Sequence, residues 1–111
     1  MKMYVAGEWL DKPQKIEVRN SYDSSLIDTV PRADATDVER ALQSAERGAK
    51  AMAKLTAFER WKILHAAAEK IAARVEELGT LISKEEGKIL AEGRAEALRA
   101  VDTMIDRKSV V

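Results

Sequence analysis

The side chains in this chain that could carry out covalent or metal chemistry are few. Its 111 residues include no cysteine and only one histidine, His65. Because thiolate catalysis, disulfide bonds and zinc ribbons all require cysteine, these residues cannot provide any of them. His65 borders the apolar stripe of a predicted helix, and no second histidine is present to share a zinc ion with it. We therefore expect His65 to have a structural place at the edge of that stripe.

Neighbouring acids and scattered glycines are the other candidates for a site. Glu85 and Glu86 are adjacent, but successive residues of a helix point about 100° apart, so these carboxylates do not converge on one atom. A solvated helix face is the expected place for them. The five glycines are isolated, and none belongs to a glycine-rich dinucleotide motif. The residues alone therefore predict no catalytic site and no cofactor-binding site.

Charge and hydropathy limit the possible partners. Nineteen basic and nineteen acidic residues cancel, which gives nucleic acid no broad electrostatic surface to bind. Arg107–Lys108 is too short to be a basic patch and is expected to be a frayed end. No apolar run approaches the roughly 18 residues needed to cross a bilayer, and the polar Glu8 comes too early for a signal peptide. We expect a cytoplasmic protein that binds neither nucleic acid nor membrane.

The elements that would position any site are expected to form a single unit over 1–111, with strands in 1–32 and helices in 33–106. Short apolar or alternating runs, separated by turn residues, predict the strands. They lie at 3–6, 9–10, 16–20 and 26–30. Gly7–Glu8 is a turn candidate between the first two. These strands predict a small antiparallel meander, which is too small to be stable without a partner surface.

From Asp34 onward the apolar spacing becomes helical. Asp34 is the predicted N-cap of the first helix, and Thr56 opens the second with a capping box. The apolar stripe of the second helix runs over Phe58–Ile82, so this region is either one long helix or two joined near Arg74.

A glycine separates this region from the last predicted helix. Gly87 suits a helix C-cap, and a further stripe runs over Leu90–Ile105. The prediction is an α+β fold in which a small strand meander precedes three to four amphipathic helices.

Five short motifs occur in a characteristic order along the chain. They are Tyr4–Trp9, Val18–Asp23, Val30–Ala41, Arg60–Ala68 and Glu85–Lys88. Over about residues 3–104 they resemble the N-terminal part of the aldehyde dehydrogenase superfamily. The members that look most similar are lactaldehyde, non-phosphorylating glyceraldehyde-3-phosphate and succinate-semialdehyde dehydrogenases.

The resemblance implies the N-terminal part of a cofactor-binding domain, in an enzyme that oxidises a small aldehyde to its carboxylic acid with NAD or NADP. In that family a cysteine thiolate attacks the aldehyde, hydride passes to the nicotinamide, and a glutamate-activated water releases the acid. The residues responsible lie beyond the part that this chain resembles. We therefore expect a fragment that is inactive alone and holds no cofactor.

A metal site is likewise not expected, with one alternative left open by the resemblance. Some family members hold a monovalent cation with a carboxylate at the position of Glu85 and backbone carbonyls near Val18 and Arg19.

This chain differs from the family at two positions. The family usually has proline where this chain has Ser21 and Ile89. Without that second proline, the helices on either side of Gly87 could become continuous more easily.

Three functions remain open from the sequence. The first is an aldehyde dehydrogenase fragment. The ending at residues 105–111 suggests that this fragment arose by truncation or by out-of-frame read-through. The second is a helical oligomerisation or interaction module without enzymatic role, and the third, disfavoured by zero net charge, is a nucleic-acid binder. We expect a homo-oligomer, because the stripes Phe58–Ile82 and Leu90–Ile105 would lack covering surfaces. Two copies could pair these stripes about a two-fold axis or exchange the last helix.

Overall fold

The computed structural model describes residues 1–106, which form two compact units divided between Lys54 and Leu55. The first unit holds β1 (Met3–Val5), β2 (Glu8–Leu10), β3 (Lys15–Arg19), β4 (Leu26–Pro31) and α1 (Ala35–Met52). The second holds α2 (Ala57–Ala72), α3 (Val75–Glu86) and α4 (Leu90–Asp106).

The predicted α+β fold, with strands first and helices after them, is confirmed. The first helix groups with the strands, whereas the sequence suggested a division into 1–32 and 33–106. A single unit over 1–111 stays a prediction. Within residues 1–106, no helix is both long and apolar enough to span a membrane.

The strands form two separate antiparallel hairpins instead of one continuous meander. In the first hairpin Met3 lies opposite Leu10 and Tyr4 opposite Trp9. The turn between these strands has left-handed φ angles of 53° at Ala6 and 90° at Gly7. Two such residues form a type I′ turn, whose twist matches that of the flanking strands. The turn therefore lies one residue earlier than predicted, because alanine gives no turn signal in the sequence.

The second hairpin has a bulge and a closed loop. Val18 lies opposite Asp28 and Arg19 opposite Leu26, so the register shifts between Val18 and Arg19. Asn20 holds the loop that follows: its side-chain Oδ1 accepts a hydrogen bond of 2.9 Å from the Tyr22 amide. The Asn20 carbonyl accepts a second bond of 2.8 Å, from the Ser24 amide. These bonds close the loop without the proline usual after Asn20 in the family.

Capping boxes start the first two helices, which confirms Asp34 as the predicted N-cap and Thr56 as the predicted start of a capping box. In α1 the side chain of Asp34 accepts from the amide of Asp37, and the Asp37 side chain accepts from the amide of Asp34, both at 3.0 Å. Thr56 and Glu59 make the same reciprocal bonds at the start of α2. The cap residues thus satisfy backbone amides that have no partner within the helix.

Two breaks divide the helical stretch after Thr56. Ala73 and Arg74 separate α2 from α3, which settles the sequence alternatives in favour of two helices. Gly87 ends α3 with a φ of 73°, and its amide donates to the carbonyl of Ser83 at 3.0 Å. The Ser83 hydroxyl donates to the carbonyl of Lys88 at 2.6 Å. Because these bonds stop the helix at a left-handed glycine, α3 and α4 are not continuous even without a proline.

The second unit has a thin core in which α4 packs against both α2 and α3. Ala68 and Ala97 are its most buried apolar side chains, 1% and 3% exposed. Gly79 of α3 and Gly93 of α4 are also buried and face each other across the helix crossing. A Cβ atom on Gly93 would lie only 2.4 Å from the carbonyl oxygen of Gly79. The two backbones are therefore in direct contact, which side chains larger than hydrogen would prevent.

Candidate functional site

His65 lies on α2 in a short stack of aromatic rings. Its ring stacks on Trp61 at a centroid distance of 4.7 Å, and Trp61 in turn stacks on Phe58 at 5.6 Å. The Nε2 atom is 3.6 Å from a carboxylate oxygen of Glu69, and the Nδ1 atom is buried without a hydrogen-bond partner. Residues 1–106 contain no group of three potential ligands that could hold a metal ion. The geometry thus fits a histidine at the edge of the apolar stripe.

The adjacent acids Glu85 and Glu86, expected on a solvated helix face, lie exposed in the last turn of α3, and Glu86 belongs to a cluster of charges. Lys88 Nζ is 2.6 Å from an oxygen of Glu86 and 2.5 Å from an oxygen of Glu96. Hydrogen bonds to these carboxylates, Glu86 first, raise the pKa of Lys88. The cluster joins the end of α3 to the first half of α4, so it supports the turn at Gly87.

The alternative cation site remains a prediction. Val18 and Arg19 belong to β3 in the first unit, and Glu85 belongs to α3 in the second. Arg19 donates to the carbonyl of Ser24 at 2.8 Å and to the carboxylate of Glu17, so its side chain holds the β3–β4 loop. Arg107–Lys108, the predicted frayed end, lies outside the described residues.

A second charged cluster surrounds the N-terminus of α1. Lys12 Nζ lies 2.7 Å from an oxygen of Asp34 and 2.9 Å from an oxygen of Asp37, whose side chain is only 8% exposed. The hydrogen bond from Lys12 lowers the pKa of Asp34, and the bonds to Asp34 and Asp37 raise the pKa of Lys12. Sequence reasoning missed this lysine, because it lies 22 positions before Asp34 and no local pattern links the two.

In nucleotide-binding proteins a phosphate often binds where a glycine-rich loop connects a strand to a helix with a free N-terminus. The connection from β4 to α1 has the corresponding position in this chain. A surface pocket of about 530 Å³ lies beside it, lined by Lys12, Gln14, Arg32 and their neighbours. The carboxylates of Asp34 and Asp37 already accept from the first amides of the helix and would repel an anion. The residues here do not fit a dinucleotide phosphate.

The glycines do not fit a cofactor site either. Gly7 forms a hairpin turn, Gly87 ends a helix, and Gly79 and Gly93 make a helix crossing. Gly48 lies within α1, with no atom within 4 Å of the position of a Cβ. None of them precedes a helix on a phosphate-binding turn. The absence of bound cofactor in this chain stays a prediction.

Large uncovered apolar surfaces are the strongest indication of function. On α1 the side chains of Val38 and Leu42 are 52% and 61% exposed. In the second unit an apolar groove of about 470 Å³ lies between helices. The apolar residues that line this helical groove are Ile71, Leu78, Ile82, Ala97 and Ala100. Exposed apolar patches of this kind are typical of surfaces that pack against another protein surface.

Comparison with known proteins gives consistent matches. The sequence model of the aldehyde dehydrogenase family matches residues 9–106. The D-glyceraldehyde dehydrogenase (NADP(+)) of Picrophilus torridus is 36% identical over 106 residues, which are 94% of this chain and 22% of that protein. The 3-sulfolactaldehyde dehydrogenase of Priestia megaterium is 33% identical over 102 residues, 92% of this chain and 21% of that protein.

Solved structures show the same fold within longer chains. Aldehyde dehydrogenase 21 from Physcomitrella patens, in complex with succinate, matches 97% of this chain with a TM-score of 0.90 and 28% identity. The match covers 23% of that chain. A 3,6-anhydro-L-galactose dehydrogenase has a TM-score of 0.89 and 30% identity over the same shares of the two chains. The chain spans about a fifth of the length of the curated relatives it matches.

Proposed function

Because this chain belongs to the aldehyde dehydrogenase family, we propose that it serves as the N-terminal part of the cofactor-binding domain of an NAD(P)-dependent aldehyde dehydrogenase. The single observation that carries the proposal is that a chain with the fold of this family leaves apolar helix faces uncovered. Leu42 of α1 and Leu98 of α4 are 61% and 50% exposed. In a chain several times longer, further parts of the domain would cover such side chains.

The proposed role of these residues is structural support. α4 packs against α2 and, through the glycine crossing, against α3, and the Lys88 cluster fixes the turn between α3 and α4. A rigid three-helix layer of this kind can hold a neighbouring sheet in place while touching neither aldehyde nor cofactor. The chemistry of aldehyde oxidation then belongs to other residues of the enzyme.

The proposed reaction of the whole enzyme is oxidation of a small aldehyde, such as a hydroxyaldehyde, to its carboxylic acid. Support comes from the relatives named for D-glyceraldehyde and 3-sulfolactaldehyde, one of which is named for NADP(+). The family's nucleophile is a cysteine thiolate, and these 111 residues contain no cysteine. We therefore propose that the chain alone has no activity. A cytoplasmic location and the lack of a nucleic-acid partner belong to the same proposal.

Two measurements on the purified chain test this proposal. With glyceraldehyde or lactaldehyde and either NAD or NADP, we expect no reduced nicotinamide above the buffer rate. Calorimetry with millimolar NAD or NADP should give no saturable heat, because neither the described glycines nor the N-terminus of α1 forms a phosphate site. Turnover that persists through repeated purification, or saturable cofactor binding, would contradict the proposal that catalysis and cofactor binding belong to other residues of the enzyme.

The alternative function is a helical interaction module with no enzymatic role. The same exposed side chains on α1 favour it, since they provide a surface for a partner protein. Genomic context separates the two: an adjacent reading frame that encodes the cysteine-bearing part of the family supports the enzyme.

A further inference from the structure

The two halves of α1 differ in how the first unit holds them. In the first half, Lys12 Nζ lies 2.9 Å from an oxygen of the buried Asp37, and Arg40 Nη2 lies 2.8 Å from a carboxylate oxygen of Glu8. In the second half, every residue of 45–51 is exposed. Seven residues make about two helical turns, so the first unit covers no side of the helix there.

Little stabilises this second half beyond its own backbone hydrogen bonds. Glu46 and Lys50 form an ion pair of 2.6 Å, but their side chains are 68% and 72% exposed, and the pair exists only while the helix is formed. Gly48 weakens the helix relative to alanine, and a Cβ there would meet no atom within 4 Å. Short helices without tertiary packing are marginal in water. This half therefore opens at a lower free energy than the packed helices of the second unit.

The opening has a boundary on the side of α2. Arg60 Nη1 donates to the carbonyl of Leu55 at 2.5 Å, and Thr56 and Glu59 form the capping box of α2. On the other side, the ion pairs of the first half keep the start of α1 in place. Residues 45–54, which we call the uncovered segment, can therefore open while the chain on either side stays folded.

Basic residues are concentrated in the uncovered segment. They are Arg47, Lys50 and Lys54. Among residues 1–106, Lys12, Arg74 and Lys88 also lie between elements, but each is held in an ion pair. The amide of Arg32 donates to the carbonyl of Gln14 at 2.9 Å, which fixes the backbone after β4. The uncovered segment thus combines a weak helix with basic side chains that become free when it opens.

We propose that the uncovered segment is a site of proteolytic processing, where a protease that cuts after lysine or arginine enters the chain. Such a protease binds an extended substrate with the basic side chain in an acidic pocket, so the helix must open first. Cleavage consumes one water and leaves a carboxylate on the basic residue and an amine on the next. Its rate follows the fraction of open chains when opening is fast. A protein surface that covers α1 would prevent opening, so cleavage selects chains in which α1 is uncovered.

Limited digestion of the whole chain with trypsin, followed by mass spectrometry of the products, is the first test. Within residues 1–106, we expect cleavage in the uncovered segment to be at least about tenfold faster than at any other site. A first cut elsewhere in 1–106, or cleavage at similar rates throughout, would overturn the proposal.

A matched pair of triple variants shows whether this segment controls the loss of intact chain. Glutamine at Arg47, Lys50 and Lys54 should slow that loss at least about fivefold. Glutamine at three lysines that are exposed on packed helices makes the same change in net charge and should alter the rate less than about twofold. These control positions are Lys62, Lys70 and Lys84. Equal effects of the two triple variants would refute the uncovered segment as the site of entry.

Helix propensity tests whether the cut passes through local opening. Gly48→Ala should slow cleavage after Lys50 by about two- to fivefold, and Ala45→Gly should accelerate it by a similar factor. Lys12→Met weakens the opposite end of α1 and should change the rate less than about twofold. If Lys12→Met accelerates the cut as much as Ala45→Gly, cleavage requires unfolding of the whole first unit and the proposal is wrong. None of these outcomes affects the proposed enzyme function, which depends on the family fold.

Discussion

Gly93→Ala tests the packing of the second unit most sharply. An added Cβ would lie 2.4 Å from the carbonyl oxygen of Gly79, which is backbone and cannot rotate away. An ordinary carbon–oxygen contact is about 3.3 Å or longer, so α3 and α4 must separate by about 1 Å. Forcing extra atoms into a packed core typically costs 1–3 kcal/mol, and alanine returns about 1 kcal/mol of helix propensity. Because the clash is with backbone, the cost lies in the upper part of that range, about 2–3 kcal/mol, and the net loss is expected to be about 1–2 kcal/mol.

The matched control is the same change at a glycine with open space. Gly48 lies within α1, and a Cβ there meets no atom within 4 Å. Gly48→Ala should therefore stabilise the chain by about 0.5–1 kcal/mol through helix propensity alone. Urea unfolding followed by far-ultraviolet circular dichroism measures both variants. If Gly93→Ala is as stable as the parent chain, the close crossing of α3 and α4 is refuted.

Three further changes test local features. Ala6→Asn should stabilise the first hairpin by roughly 1 kcal/mol in thermal unfolding, because asparagine tolerates the left-handed φ of 53° better than alanine. Hydrogen bonds from the N-cap residue Thr56 lower the pKa of Glu59 in the folded chain. The charged form of Glu59 therefore stabilises the fold above the pKa that this residue has in the unfolded chain. This contribution is lost as the pH falls through the lower pKa of the folded chain. Glu59→Gln keeps the cap acceptor, and its melting temperature should fall less than that of the parent chain between about pH 5 and pH 3. Lys12→Met leaves the buried Asp37 without its cation and should lower the melting temperature more than Lys50→Met, whose ion pair is exposed. Equal melting temperatures for these two variants would contradict a stabilising role for Lys12.

Local signals predicted the ends of the helices well. Asp34 and Thr56 start helices because their side chains satisfy backbone amides within three residues, a relation visible in the sequence. Gly87 ends one because glycine adopts a left-handed φ without steric cost. The sequence left open whether a break occurs near Arg74, where no residue type enforces it.

Relations between distant residues were not visible in the sequence. Isolated glycines gave no sign that Gly79 and Gly93 meet, since the partner of a helix face depends on the packing of the whole unit. The bond of Lys12 to the start of α1 has no spacing signature. The turn at Ala6 was also not visible, because alanine seldom takes a left-handed conformation.

An exchange of segments tests most directly that this chain is the supporting part of an aldehyde dehydrogenase. In the D-glyceraldehyde dehydrogenase of Picrophilus torridus, the segment that matches this chain would be replaced by the matching residues of this chain. We expect the chimera to fold and to oxidise D-glyceraldehyde with NADP within about tenfold of the parent rate, a loss of about 1.4 kcal/mol at most. A chimera that fails to fold, or that folds like the parent but shows no NADP-dependent oxidation, would contradict the account.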